Sequence, residues 1–187
     1  MSDFKCPNCG LIAPEEKARS LGRRIQRNLD EIERLRTDNE RLRKALRKID
    51  EIVVHCTATN SKWFADRPVE DVVKEITRWH VEERGWRDIG YHALVHRDGS
   101  IGYGRPVEKS GAHVAKMNRH TIGVSLVGGR GGCADDAFLD NFTPEQEEAL
   151  RELIVEYKAK FPSIEKVTGH NSYATKACPC FHVESWL

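Results

Sequence analysis

Hydrophobic and polar positions repeat in two different ways along the chain, and the pattern changes near residue 49. From Pro14 to about Lys48 the sequence is dense in Arg, Glu, Lys and Leu, and its apolar residues recur at alternating three- and four-residue steps. These residues are Leu21, Ile25, Ile32, Leu35, Leu42 and Leu46. Such spacing is the a and d pattern of a coiled coil. We therefore predict a coiled-coil helix over residues 13–48.

Polar residues of the same segment favour a parallel homodimer formed through residues 21–46. Asn28 and Asn39 interrupt the apolar seam, and a buried Asn at an a position commonly sets the register of a two-stranded coil. In two parallel strands Glu31 would face Arg36 of the other strand, which is an attractive pair. A single amphipathic helix that lies on the following domain is the alternative interpretation.

The first twelve residues contain a turn of the zinc-knuckle type. Cys6 and Cys9 flank Pro-Asn and are followed by Gly10, a spacing that can aim two thiolates at one metal ion. Two thiolates supply only half of a four-ligand site. A parallel dimer would bring both cysteines of each chain together, so we predict a structural zinc shared between two chains. An unmetallated or redox-active cysteine pair is the alternative.

From residue 49 onward, short apolar runs alternate with helical periodicity. Strands are predicted at Ile52–Val54, Tyr91–His96, Ile101–Tyr103, Ile122–Val127 and Lys166–Thr168. A helix is predicted from near Pro68 to Glu83 with Asp66 as its cap, and a second helix follows a capping box that starts at Thr143. Residues 49–187 are therefore expected to form an α/β domain, a central mixed β-sheet flanked by helices.

Composition excludes several other classes of protein. The 187 residues carry 30 Lys and Arg against 29 Asp and Glu, so the overall charge does not suggest a nucleic-acid partner. No apolar stretch approaches the ~20 residues of a membrane span, and the polar N-terminus is unlike a signal peptide. We therefore expect synthesis in the cytoplasm, where thiols stay reduced. The six cysteines are accordingly interpreted as metal ligands or bystanders rather than as a disulfide framework.

Three residues of this second region have the chemistry of a catalytic zinc site. His55 ends a β-branched run, and His170 and Cys178 lie eight residues apart. Two imidazoles and one thiolate leave the fourth tetrahedral position open, which is typical of catalytic rather than structural zinc. Lys176 stands two residues before Cys178, and Tyr91 stands at a strand start. Both are candidate donors for a developing oxyanion, with a surface cation and a packing residue as the alternatives.

The sequence around these residues resembles a known family. The matching segments occur in order: Val54–Thr59, Trp79–His80, Gly85–Trp86, Asp88–His92, Arg97–Gly99, Gly111–His113, Ile122–Val124 and Lys176–Pro179. Together they resemble the type 2 N-acetylmuramoyl-L-alanine amidases, which include phage amidase lysozymes and animal peptidoglycan-recognition proteins. The resemblance covers about residues 50–187.

The resemblance implies a function and assigns roles to particular residues. It implies zinc on His55, His170 and Cys178, with Tyr91 and Lys176 assisting hydrolysis of the amide between muramic acid and L-alanine. His113 resembles a substrate-binding position of the cleft, with a simple loop histidine as the alternative. We therefore expect a phage or prophage endolysin that reaches bacterial peptidoglycan through a partner pore. A non-catalytic peptidoglycan-recognition module and a coil-tethered regulatory protein are the alternatives.

Overall fold

The computed structural model describes residues 14–45 and 47–187, apart from the side chains of residues 14, 15 and 39–45. The chain divides into two units, 1–46 and 47–187. Cys6 and Cys9, and with them the predicted shared zinc site, lie outside the described residues. No helix within the described ranges is both long and apolar enough to cross a membrane.

The first unit contains one long helix, α1, over Pro14–Ala45. The structure confirms that this segment is helical, while the coiled coil and its pairing with a second chain stay predictions. Four of the predicted seam residues, Leu21, Ile25, Ile32 and Leu35, are 46–58% exposed. Exposure of bulky apolar side chains at this regular spacing leaves an apolar stripe along the helix.

The second unit is built on a five-stranded mixed sheet. Its strands are β1 (Glu51–Cys56), β2 (Ala93–Val95), β3 (Ile101–Tyr103), β4 (Thr121–Leu126) and β5 (Lys166–Gly169). They lie in the order β3-β2-β4-β1-β5. Only β3 runs antiparallel to its neighbour, through a hairpin with β2, and the other neighbours pair in parallel. The predicted mixed α/β fold is confirmed.

The central strands are apolar for a physical reason. Every residue of β1 and of β4 is buried. A parallel sheet is covered on both faces by helices and loops, so its inner strands need apolar side chains at almost every position rather than at alternate ones. The few polar residues in these strands, including His55 and Ser125, are therefore the ones to examine for chemistry.

One helix, α2 (Val69–Arg78), packs against the sheet through Val72 and Ile76 and continues into a π-helical turn at Trp79–Glu83. The predicted Asp66 cap is wrong, because the N-cap position is Pro68 and no side chain caps this end. Asp66 stands two residues too early to reach the first turn. Gly85 has φ +68, a left-handed conformation that suits glycine and ends the helical segment as expected.

Three further helices and a 3-10 turn follow in the C-terminal third of the chain. They are α3 (Phe138–Asn141), α4 (Pro144–Lys160), a 3-10 turn (His170–Ser172) and α5 (Val183–Trp186). The capping box of α4 is confirmed, since Thr143 Oγ1 accepts from the Gln146 N–H and Gln146 Oε1 accepts from the Thr143 N–H. The buried Gln146 amide also donates to the carbonyls of Val95 and Val127, which ties α4 to β2 and to the end of β4.

Candidate metal centre and cleft

The candidate site lies at the carboxyl edge of the sheet. His55 is the penultimate residue of β1, and His170 directly follows β5. Because β1 and β5 are paired in parallel, both histidines arrive at the same edge. Cys178 reaches this edge from the loop behind the 3-10 turn, where its Sγ accepts a hydrogen bond of 3.2 Å from the Cys56 N–H.

The three predicted metal-ligating side chains form one cluster. One ligand atom each from His55, His170 and Cys178 lies within 4.8 Å of the other two. The Nδ1 of His55 is 3.8 Å from the Sγ of Cys178. Among the described residues, no fourth His, Cys, Asp or Glu joins the cluster. The arrangement could therefore supply three protein ligands to one metal ion, the number typical of a catalytic zinc site.

Burial keeps the imidazoles of this cluster neutral. Desolvation lowers the pKa of His55 well below 6.5, and the nearby His113, His170 and Lys176 lower it further. Desolvation and the charge of Lys176 also lower the pKa of His170. Neutral imidazoles are the form that binds a metal ion. Hydrogen bonding to the buried Cys56 raises the pKa of the Cys178 thiol, so thiolate formation there is favoured only when a cation is bound.

Tyr91 and Lys176 both line a cleft whose wall also includes His170 and Cys178. The Tyr91 ring centroid is 5.2 Å from that of His55. Burial raises the pKa of Tyr91, and negative charge on the sulfur of Cys178 or Cys56 raises it further, so the phenol keeps its proton at neutral pH and can donate a hydrogen bond. Lys176 is exposed in the same connecting segment as Cys178, and its charge lowers the pKa of His55 and of His170.

His113 lies behind His55 and contributes to the cleft wall. It is 9% exposed, and its Nδ1 is 3.0 Å from His55 Nε2. Its Nε2 is 3.3 Å from Thr121 Oγ1. Burial lowers the pKa of His113 to about 3, so its ring is also neutral. Contact of His113 with substrate stays a prediction.

Two further thiols lie beside the cluster. Cys56 and Cys180 are both buried, and their Sγ atoms are 3.8 Å apart. Cys180 Sγ also donates to the Gly129 carbonyl at 3.3 Å. Neither belongs to the three-residue cluster.

One feature of the cleft was missed by the sequence reasoning. Tyr173 lines the cleft and is 37% exposed, while its hydroxyl donates to the carboxylate of the buried Glu51 at 2.6 and 2.7 Å. Thr168 Oγ1 donates to the same carboxylate at 2.5 Å. These hydrogen bonds fix the Tyr173 ring at the cleft. The only signal in the sequence was an acidic residue inside an apolar strand.

The fold and the cluster together define a class of protein. Ligands of open α/β sheets bind outside the carboxyl ends of the strands, and this edge carries a three-ligand cluster, a protonated phenol and an ammonium group. That combination is typical of a metal-dependent hydrolase that stabilises an oxyanion.

Comparison with known proteins agrees with this class. Residues 45–181 match the family model described as N-acetylmuramoyl-L-alanine amidase. The endolysin of Escherichia phage T7 is 41% identical over 140 residues, which cover 73% of this chain and 84% of the relative. A Thermus scotoductus MAT2119 bacteriophage structure, the Ph2119 endolysin, superimposes with a TM-score of 0.57 and 27% identity over 71% of this chain and 77% of that one. Drosophila PGRP-LB shares the fold, with a TM-score of 0.59 and 24% identity over 71% and 75% of the two chains.

The chain belongs to the N-acetylmuramoyl-L-alanine amidase family. It is thus a hydrolase of the amide that joins muramic acid to L-alanine in bacterial peptidoglycan. Enzymes of this family are generally zinc-dependent, and the His, His and Cys cluster fits such a metal.

Proposed function

We propose that His55, His170 and Cys178 hold one catalytic zinc ion per chain. The single observation that carries the proposal is the mutual approach of their ligand atoms to within 4.8 Å. The donor set of two imidazoles and one thiolate also suits zinc better than the oxygen-preferring Mg²⁺ or Ca²⁺. When bound there, zinc would lower the pKa of a water molecule and polarise the scissile carbonyl.

We further propose that Tyr91 and Lys176 stabilise the oxyanion that forms as the amide is attacked. Tyr91 is suited to this role because its raised pKa keeps the O–H available as a donor. Lys176 contributes a cation that lines the same cleft and whose charge already acts on His55 and His170. One thiolate ligand reduces the formal charge of the site, so help from both groups matters more than at an all-histidine site.

The enzyme is proposed to serve as a phage or prophage endolysin. Support comes from the Escherichia phage T7 relative, which is named an endolysin and whose length is 84% covered. Such an enzyme would be made in the cytoplasm and would reach the peptidoglycan through a pore formed by a partner protein. Its substrate would be the intact wall.

Purified peptidoglycan provides the test of the activity. The expected result is a fall in turbidity together with new free amino groups on L-alanine and no new reducing sugar ends. A chelator should abolish the reaction, and added Zn²⁺ should restore it. New reducing ends without new free amino groups on L-alanine would contradict amide hydrolysis. Binding to the wall without new amino groups on L-alanine would support a non-catalytic recognition module instead.

A parallel homodimer through residues 21–46 is proposed for the N-terminal helix. The exposed stripe formed by Leu21, Ile25, Ile32 and Leu35 supports it, because a second copy would bury these side chains. In such a dimer Cys6 and Cys9 of the two chains would bind a shared structural zinc, for which the Cys-x-x-Cys spacing is the support.

A further inference from the structure

A chain of hydrogen bonds leads from a backbone carbonyl to the ring of His55. Thr121 Oγ1 donates to the Met117 carbonyl at 3.1 Å. His113 Nε2 lies 3.3 Å from the same Oγ1, and His113 Nδ1 lies 3.0 Å from His55 Nε2. All three side chains are buried, so water does not compete for these contacts.

The carbonyl at the end of the chain determines the direction of every bond in it. A carbonyl only accepts, so the single hydroxyl proton of Thr121 is committed to Met117. Thr121 Oγ1 can then only accept from His113, which places the ring proton of His113 on Nε2. A neutral imidazole carries one N–H, so His113 Nδ1 is an acceptor and the proton between the two rings belongs to His55 Nε2.

We infer that His113 is a positioning residue that holds His55 as its Nε2–H tautomer, with the Nδ1 lone pair directed at the metal site. The inference rests on the proposed zinc centre and assigns the ligand atom within it. Nδ1 is the nitrogen that lies 3.8 Å from Cys178 Sγ. The opposite tautomer would place a proton on Nδ1 and block coordination. Metal-binding histidines generally depend on such a partner at the second ring nitrogen.

The fit around the His113 ring shows why its orientation is fixed. A Cβ added at Gly123 would lie 2.5 Å from the ring, and a Cβ added at Gly111 would also lie 2.5 Å from it. The two glycines therefore form a slot for the His113 ring, and a side chain at either position would close the slot. The Asn118 side chain completes it, since its Oδ1 accepts from the backbone N–H groups of His113 and Val114.

Both ring nitrogens of His113 are engaged by protein groups, so neither is available to hydrogen-bond a substrate. Positioning and substrate binding therefore make different predictions. A positioning residue affects metal affinity in the absence of substrate, whereas a substrate-binding residue affects KM and leaves metal affinity unchanged.

The tautomers can be read directly by ¹⁵N NMR of the full-length, metal-free protein with labelled histidine. We expect long-range ¹⁵N–¹H correlations to show Nε2–H tautomers for both His55 and His113. A proton on Nδ1 of either ring would overturn the inference.

Zinc affinity of the full-length protein, measured by chelator competition, gives the second readout. His113→Phe fills the slot but lacks an acceptor for the His55 Nε2–H group. It should therefore weaken zinc binding at the cluster about 10- to 100-fold. His113→Asn retains an acceptor close to the position of Nδ1 and should stay within a few-fold of wild type. Equal affinity in wild type and His113→Phe would overturn the inference, as would an equal loss in both variants.

A matched pair of Thr121 variants provides the same test if the His113 variants fail to fold. Thr121→Val keeps the shape but removes the acceptor for His113 Nε2–H, and it should weaken zinc binding by about 10-fold, while Thr121→Ser should not. Unchanged affinity in Thr121→Val would overturn the inference. Wild-type protein that binds no zinc at His55, His170 and Cys178 would instead refute the metal centre itself, and the inference with it.

Discussion

His55 Nδ1 and Cys178 Sγ lie 3.8 Å apart although 123 residues separate them in the chain. Two elements make this approach possible. The carboxyl end of β1 presents His55, and the backbone N–H of Cys56 holds the sulfur of Cys178 beside it at 3.2 Å. The sheet edge therefore fixes the His55 side chain by its strand and the Cys178 side chain by a backbone hydrogen bond next to that strand.

Replacement of Cys178 should remove the catalytic zinc, whereas replacement of the neighbouring Cys180 should not. Cys178→Ser takes away one of only three protein ligands, so the loss of affinity should exceed the ~100-fold typical of an outer-sphere partner. Cys180→Ser is the matched control, because Cys180 contacts Cys56 and Gly129 rather than the cluster. Zinc per chain and the number of new free amino groups on L-alanine of the peptidoglycan are the measurements. Wild-type zinc content and activity in Cys178→Ser would contradict the proposed ligand set.

Substitution of Tyr91 or Lys176 should slow hydrolysis and leave zinc in place. Tyr91→Phe and Lys176→Met each remove one donor to the oxyanion, and the expected fall in kcat is about 100-fold, or ~3 kcal/mol. Zinc content, measured on the same samples, should equal that of wild type. Lys109→Met is a suitable control, because Lys109 is exposed and its side chain lies outside the cleft lining. A change in KM alone would indicate substrate binding instead of oxyanion stabilisation.

Local sequence patterns predicted much of the sheet and the three-residue cluster, and the reason is physical. A buried β-branched run predicts β1, and His55 stands out in it as a polar residue that needs a partner. Long-range side-chain contacts have no such local signature. Nothing near His113 indicates that its ring would meet His55, 58 residues away, and nothing near Tyr173 indicates Glu51, 122 residues away. The Asp66 cap failed because a favourable capping residue was present but the helix begins later.

Loss of the Tyr173 hydroxyl should destabilise the second unit. Tyr173→Phe removes the hydroxyl that is shared between both oxygens of the buried Glu51 carboxylate and leaves Thr168 as its side-chain donor within the described part of the chain. Loss of one hydrogen-bond donor to a buried carboxylate lowers the free energy of unfolding by about 1–3 kcal/mol. Urea denaturation monitored by fluorescence gives the free energy of unfolding. Tyr103→Phe, at a tyrosine that is 60% exposed, should change it by less than ~0.5 kcal/mol. Equal effects of the two variants would contradict the structural role of Glu51.

Acid should destabilise the second unit through His92. Burial lowers the pKa of His92 to about 4, and its Nδ1 accepts from the Gly123 N–H at 2.9 Å. The pKa of His92 in the folded protein lies below the ordinary 6.5. The stabilisation that neutral His92 provides is therefore fully present above pH 6.5 and is lost as pH falls towards 4. At ~1.4 kcal/mol per pKa unit it amounts to about 3 kcal/mol.

Thermal melts between pH 7.5 and 4, recorded with a chelator so that zinc release does not contribute, measure this effect. His92→Asn keeps an acceptor for the Gly123 N–H but does not titrate, so its melting temperature should fall less steeply with pH than that of wild type. Parallel profiles for the two proteins would show that His92 is not responsible for the acid sensitivity.

Charge placed on the apolar stripe of α1 should abolish the proposed dimer. Light scattering of the full-length protein is expected to give twice the 21.3 kDa of one chain. Ile25→Asp and Ile32→Asp should each give a monomer, because a buried unpaired carboxylate is far costlier than an exposed one. Arg23→Asp introduces the same group outside the seam and should leave the dimer intact. A wild-type mass of one chain at micromolar concentration would refute both the coil and the shared site, since Cys6 and Cys9 supply only two of the four ligands that a structural zinc needs.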